Sequence, residues 1–469
     1  MLPAMIQSDR PAVPIPGFGQ SALCFAGVLV LLSLGLFVFT VSLHSLMFLC
    51  LLWVGGNARW LGHEFVVIRR MMGSAISQAL PAIYIFLLIG MVIASFMQAG
   101  TIASLVYHGL NLLSPSLFLV TGLLLCCLMS VATGTSWGTA GTIGVVLIGI
   151  GSAMGLPLPL VAGMVVSGAT FGDKMSPISD TTNLAAMSAG TDLYRHIRSM
   201  LYTTLPTLLL TVLILGFLGF SLDNDGPPTE QITNIRTALA AHYGLNLLIT
   251  LLPLVVMLVL SMRRVAAEVA MSASVLAACV IAVVYQGQGL TDVLNALWLN
   301  TPGTTGIDNL DSLLGRGGIS SMAWTLLLAL MALALGGVLH ETGFLTRLLS
   351  GMLGRIRRVS ALIATTIAAG FAGNLAMGEA YISIILNCQL FRSHYESRGV
   401  DNAVLSRSVE EGSTLTTGLI PWTTAGAFYA ATLGVPVLDY APYAFLNYLN
   451  AFVAVAMASF GLGLFRDKT

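Results

Sequence analysis

Phe171-Gly172-Asp173-Lys174-Met175-Ser176-Pro177-Ile178-Ser179-Asp180-Thr181-Thr182-Asn183 decides how this chain is read. It ends a run from Met71 to Gly172 without a single Asp, Glu, Lys or Arg. Two carboxylates, an ammonium, four hydroxyls and an amide then arrive together around a helix-breaking Gly and Pro, and apolar sequence resumes beyond them. In a bilayer, backbone freed by a helix break has no water to bond, and charged groups are expensive, so such a cluster points to a ligand.

Composition supports the bilayer. The 469 residues are 56% hydrophobic and 9% charged, with a mean hydropathy of +0.89. Soluble domains run at about 25% charged, so the chain reads as an all-α polytopic membrane protein. Twenty basic residues balance twenty acidic ones, which gives no footprint for nucleic acid. Cys24, Cys50, Cys126, Cys127, Cys279 and Cys388 sit mostly in apolar runs without metal spacing and read as buried thiols. The Pro-rich start, Met1 to Gln20, lacks signal-peptide features. There is no Walker A sequence, so neither ATP-driven transport nor an enzyme with a cofactor is expected.

Working outward, spans of about 20 residues are expected at 21–40, 41–57, 80–98 and 201–220, with an amphipathic stretch at 63–72. Apolar run 114–132 breaks at Thr133–Thr139 and returns through 141–154; run 156–171 leads into the polar stretch. An acidic linker, 223–230, closes the first half. The second half repeats the plan: spans at 243–261, 265–285, 320–340 and 443–464, a run 360–372 broken at 373–379 and returning at 380–391, and 403–431 interrupted at 412–421. The expected division is 1–222 and 243–469, joined by an extracytoplasmic linker, 223–242.

Echoes offset by about 240 residues suggest duplication: Gln98-Ala99-Gly100 with Glu341-Thr342-Gly343, Gly134 with Gly373, Gly138 with Gly378, and Thr181-Thr182 with Thr423-Thr424. Basic residues tend to stay cytoplasmic. Arg59, Arg69 and Arg70 follow the second span, and 99–114 has no base, but its counterpart holds Arg347, Arg355, Arg357 and Arg358. Loop 155–159 is uncharged where its counterpart carries Arg392, Arg398 and Arg407; Arg195 and Arg198 face an unbasic 435–442. Arg466 and Lys468 place the C-terminus inside, with the N-terminus on the same side. Equivalent loops thus fall on opposite sides, as in inverted repeats. The return runs are short, so each repeat is expected to hold five spans plus a re-entrant hairpin and a broken helix.

The breaks expose helix ends, whose carbonyls suit cations and whose N–H groups suit anions. Asp173 and Asp180 are the candidate cation or metal carboxylates. Lys174 either compensates their charge, pairs to fix the break, or reaches the surface. Ser176, Ser179, Thr181, Thr182, Asn183, Thr135 and Ser136 either ligate or satisfy freed backbone. Glu379, Glu410, Glu411, Thr423 and Thr424 are the second-half candidates. Glu410 and Glu411 are adjacent carboxylates suited to holding a proton if buried, or else they lie solvated or paired with Arg407. Glu268 is expected near Arg263 and Arg264.

The stretch Gly172–Ala185 resembles the signature of NhaC-type Na⁺/H⁺ antiporters, as do Ala189-Gly190-Thr191-Asp192-Leu193, His196-Ile197 and Met200–Thr204. In the second half Leu405-Ser406-Arg407, Glu410, Leu419-Ile420-Pro421-Trp422, Gly426-Ala427-Phe428 and Ala431–Pro436 agree. The resemblance implies exchange of Na⁺ for H⁺, some members coupling this to organic-acid exchange, and an elevator-like homodimer in the bacterial cytoplasmic membrane. Where it leads one to expect Pro-Gly in the second return run, this chain has Asn387-Cys388. The leading expectation is an antiporter for Na⁺, with Li⁺ a second candidate. The alternative is a Na⁺- or H⁺-coupled carrier of a small organic acid or amino acid.

Overall fold

The computed structural model describes residues 15–112, 115–222, 229–353, 356 and 358–465. The tail before Ile15, the first part of the linker (223–228), and Arg355, Arg357, Arg466 and Lys468 lie outside the described residues.

The described residues are helical almost throughout. The first half holds α1 (Phe18–Phe37), α2 (Leu43–Trp60), α3 (Phe65–Gln78), α4 (Leu80–Gln98), α5 (Thr101–Leu112), α6 (Pro115–Thr133), α7 (Ser136–Thr139), α8 (Val145–Ala153), α9 (Leu158–Met175), α10 (Asp180–Ala189) and α11 (Leu193–Leu222). After α12 (Thr229–His242) the second half holds α13 (Leu247–Thr250), α14 (Leu252–Met262), α15 (Ala267–Val284), α16 (Leu290–Trp298), α17 (Asp308–Leu314), α18 (Ile319–Glu341) and α19 (Phe344–Leu353). Then come α20 (Val359–Met377), α21 (Ala380–Glu396), α22 (Asn402–Gly412), α23 (Thr414–Thr417), α24 (Thr424–Leu433), α25 (Val437–Tyr440) and α26 (Phe445–Ser459). Among the described residues seven helices are long and apolar enough to cross a membrane, or nine counting two bent pairs. The chain is an integral membrane protein.

Local chemistry explains the breaks. Pro177 disfavours helical backbone at Ser176, which is extended (φ −86°, ψ 125°) and ends α9. Ser179 then caps α10 by accepting from the Thr182 N–H, and Gly190 ends it in the left-handed region (φ 72°). The second half uses the same devices: Thr423 caps α24 through the Gly426 N–H at 3.0 Å, and Gly434 (φ 67°) ends it. At the hairpin tips left-handed Gly134 and Gly378 (φ 69° and 65°) each precede a capping residue, Thr135 and Glu379.

These features recur with one spacing. Gly134 and Gly378, Thr135 and Glu379, Ser179 and Thr423, and Gly190 and Gly434 each stand 244 positions apart. Packing recurs with it. A Cβ on Gly168 would lie 2.6 Å from the Leu123 carbonyl oxygen; one on Gly412 would lie 2.3 Å from that of Ile367. Ser130 donates to the Ala169 carbonyl at 2.6 Å, as Asn374 Nδ2 donates to that of Ser413 at 2.5 Å. The register differs from the one read in the sequence. Gly134 matches Gly378 rather than Gly373, and Ser179-Asp180 rather than Thr181-Thr182 matches Thr423-Thr424. Turn and cap geometry sets this register, and residue type alone does not reveal it.

Two further expectations change. The return arms are longer than the dozen residues counted from hydropathy. The first is continuous from Ser136 to Ala153, 18 residues, and α21 has 17, about 25–27 Å each at 1.5 Å per residue. The polar tip residues join the helix because Thr135 and Glu379 satisfy its first N–H groups. α21 also runs unbroken through Asn387-Cys388, with Asn387 Nδ2 bonded to the Ser383 carbonyl at 2.7 Å. Arg407, counted above as a loop charge, is buried at 1% exposure and donates to the Ser199 and Gly463 carbonyls.

The glycine contacts make one prediction. In Gly412→Ala the new methyl meets backbone, which cannot rotate away, so the helices must separate. Overpacking of this kind costs about 1–3 kcal/mol. A thermal melt in detergent should show a lower midpoint; an unchanged midpoint refutes the contact.

Candidate functional site

The four interruptions gather round one cavity of about 480 Å³. The first tip rests on the first break, since a Cβ on Gly134 would lie 2.5 Å from Ile178. The second tip is pinned to α24, whose Thr424 N–H donates to the Gly378 carbonyl at 2.9 Å.

Eight of the candidates line the cavity: Thr135, Ser136, Asp173, Ser179, Asp180, Thr181, Glu379 and Thr424. Asp173 is 6% exposed. It accepts from Ser136 Oγ at 3.0 Å and has Lys174 Nζ at 3.7 Å. Asp180 is exposed to the cavity and accepts from the Tyr381 hydroxyl at 3.0 Å. Glu379 accepts from Thr424 Oγ1 at 2.7 Å and from the Tyr381 N–H.

The other candidates stand behind this lining. Ser176 donates to the Val131 carbonyl, Thr182 to that of Asp173, Asn183 to those of Pro177 and Ser179, and Thr423 to those of Thr417 and Ile420. These four therefore satisfy backbone freed by the breaks. Glu410 and Glu411 are fully buried, not solvated, and neither reaches the cavity. Glu411 lies 3.7 Å from Arg407 Nε and accepts from Thr203 Oγ1 at 2.6 Å.

Lys174 is 0% exposed and does not reach the surface. Its ammonium donates to Thr181 Oγ1 at 2.5 Å and lies 3.4 Å from Glu410, 3.7 Å from Asp173. Glu410 in turn has His196 Nε2 at 3.6 Å, and His196 Nδ1 bonds Ser406. A continuous polar line thus runs from the cavity through Asp173 and Lys174 to Glu410 and His196, joining the two halves inside apolar packing. Burying an ion costs several kcal/mol unless it is paired, and each charge on this line has a partner.

Sequence reasoning missed Tyr381, although it stands two residues after Glu379, and the cavity hydroxyls of Thr414 and Thr417. It also did not assign Glu268 to the site, and Glu268 lines the cavity from the start of α15. Among the described residues no three His, Cys, Asp or Glu side chains converge as a metal cluster. Any cation here would be met by few carboxylates plus hydroxyls and carbonyls, a hard oxygen set.

The family model described as the Na⁺/H⁺ antiporter family matches residues 20–182 and 168–462. This chain belongs to that family. It is 36% identical over 456 residues to the Na⁺/H⁺ antiporter NhaC of Alkalihalophilus pseudofirmus, covering 96% of this chain and 97% of the relative. Its similarity extends to the arginine/ornithine antiporter ArcD of Halobacterium salinarum, 33% identical over 95% of this chain and 92% of that one. The malate-2H⁺/Na⁺-lactate antiporter of Bacillus subtilis is also 33% identical, over 85% and 84%. Family members are thus antiporters whose names carry both inorganic and organic cargo.

Proposed function

We propose that this chain exchanges Na⁺, with Li⁺ a second candidate, for H⁺ across a bacterial cytoplasmic membrane. The observation that carries the reading is the Asp173 carboxylate: buried, facing the cavity between Ser136 and Lys174, with Asp180 on the same lining. A carboxylate site that can cross only when neutralised, by either H⁺ or Na⁺, couples the two gradients by competition alone. Thr181, Ser179 and Thr424 are proposed to complete the oxygen shell, and Lys174 to balance the site when the cation leaves. Glu410 and Glu411 are proposed to act from behind the site through Lys174 and Arg407.

The proposed architecture is two inverted repeats, 1–222 and 243–469, with hairpins and broken helices moving as an elevator against the remaining spans. The 244-residue recurrence of turns, caps and contacts supports the repeat. The homodimer and cytoplasmic termini belong to the same proposal.

Asp180→Asn tests the reading. Tyr381 can still donate to the amide oxygen, so the local fold should persist while the charge is lost. In proteoliposomes carrying an imposed pH gradient, Na⁺ should no longer drive proton movement through the variant. Exchange at the wild-type rate would end the assignment.

A further inference from the structure

The cavity has two walls of different origin. The hairpin tips and broken helices form one. The other comes from elements outside the interruptions, with Gln78, Ala79 and Pro81 at the α3–α4 junction and Ala267 and Glu268 at the start of α15. Among the described residues Glu268 is the one charged side chain on this second wall. It is half-buried, and no hydrogen bond or ion pair among the described residues holds its carboxylate. We infer that Glu268 recruits Na⁺ at the cytoplasmic mouth of the cavity, raising its local concentration beside Asp173 and Asp180 from that face alone. The inference rests on the exchange reading and adds to it a residue on the wall opposite the proposed ligands.

Two observations give the mouth its side. Arg263 and Arg264 form an exposed turn just before α15, and α3, which leads into the same mouth, carries Arg69 and Arg70. Basic residues tend to stay cytoplasmic, so the end of the cavity at Gln78 and Glu268 faces the cytoplasm. In the other direction along α4 the way is closed. Phe86 meets Trp137 and Phe428 edge-on, with ring centres 5.3 and 5.6 Å apart, and Trp137 stacks on Phe428 at 4.6 Å. One turn further the Gly90 carbonyl accepts from the Gly318 N–H at 2.7 Å. A cation therefore reaches Asp180 past Glu268.

An acid in the first turn of a helix also favours the helix dipole, and Glu268 stands in the first turn of α15. That structural role alone predicts a change in melting and none that depends on the membrane face. A charge at the mouth behaves differently. It draws cations over a distance, and salt screens it. Because Glu268 lies outside the interruptions, it faces the site only while the cavity opens to the cytoplasm.

The test measures initial rates of Na⁺-driven proton movement against Na⁺ concentration in everted and in right-side-out membrane vesicles. At low ionic strength Glu268→Gln should raise the half-saturating Na⁺ concentration about two- to fivefold at the cytoplasmic face, without a matching fall in the maximal rate. The outer face should be unaffected, and the difference should largely vanish in about 0.5 M choline chloride. Gln78→Glu, which adds a carboxylate at the exposed junction on the same wall, should lower the cytoplasmic value and offset Glu268→Gln when the two are combined. A shift of equal size at both faces, a shift that survives salt, or no shift from either variant overturns the inference while Na⁺ exchange stands. If the parent chain shows no Na⁺-driven exchange from either face, the exchange reading falls and this one with it.

Discussion

Asp173→Asn should lower the rate of Na⁺-driven proton movement by about 10- to 100-fold, with little change in folding. The amide is isosteric and can still accept from Ser136 Oγ, so the 3.0 Å contact survives. What disappears is the charge. Hydrogen bonds and contacts to charged groups are worth about 1.5–3 kcal/mol more than nothing in such a setting, and each 1.4 kcal/mol is about tenfold in rate or affinity. Loss of charge also leaves Lys174 to Glu410 alone. The measurement is initial rate against Na⁺ concentration in proteoliposomes, with a detergent melt as the folding control. A variant that melts like the parent and exchanges at the parental rate would remove Asp173 from the site altogether.

Lys174→Met should produce the largest loss of stability, about 3–5 kcal/mol, because it leaves fully buried Glu410 with only His196 at 3.6 Å and takes the ammonium from Asp173 as well. Adding Glu410→Gln removes the stranded charge and should recover part of that loss, with a coupling of about 0.5–3 kcal/mol between neighbours in one network. Transport should stay impaired in the double variant if Lys174 balances the site during each cycle. Melts of the two single variants and the double variant close the cycle. A Lys174→Met protein as stable as the parent would show that the ammonium pairs with neither acid in the folded state.

These two residues also show where sequence reading succeeds and where it stops. Asp173 stood out because any carboxylate after a hundred uncharged residues must be accounted for, and the structure brings it to the cavity. The positions of the interruptions were legible too: Gly134, Gly172, Pro177 and the hydroxyls near them are local signals for ending and starting helices. The echoes suggested a duplication but not the 244-residue spacing at which turns and caps recur, because a left-handed glycine looks in sequence like any other glycine. The surroundings of Lys174 were beyond reach. Its partners are Thr181, seven residues away, and Glu410, 236 residues away, and no periodicity encodes the second. For the hydroxyls, sequence could offer two roles but not divide them. Thr424 reaches a carboxylate while its neighbour Thr423 serves backbone, a division decided by where the tip of the other hairpin lies.

The cross-half pairs carry a consequence for biosynthesis. Lys174 meets Glu410, His196 meets Ser406, and Thr203 meets Glu411, each partner lying more than 200 residues downstream. At translation speeds of about 5–20 residues per second, α9 and α11 wait about 10–50 s for these groups to be made. During that interval Asp173 is the one carboxylate near the Lys174 ammonium. In the finished fold Lys174 and Asp173 are neighbours in sequence, whereas the contacts with Glu410, Ser406 and Glu411 exist only once α22 has been made.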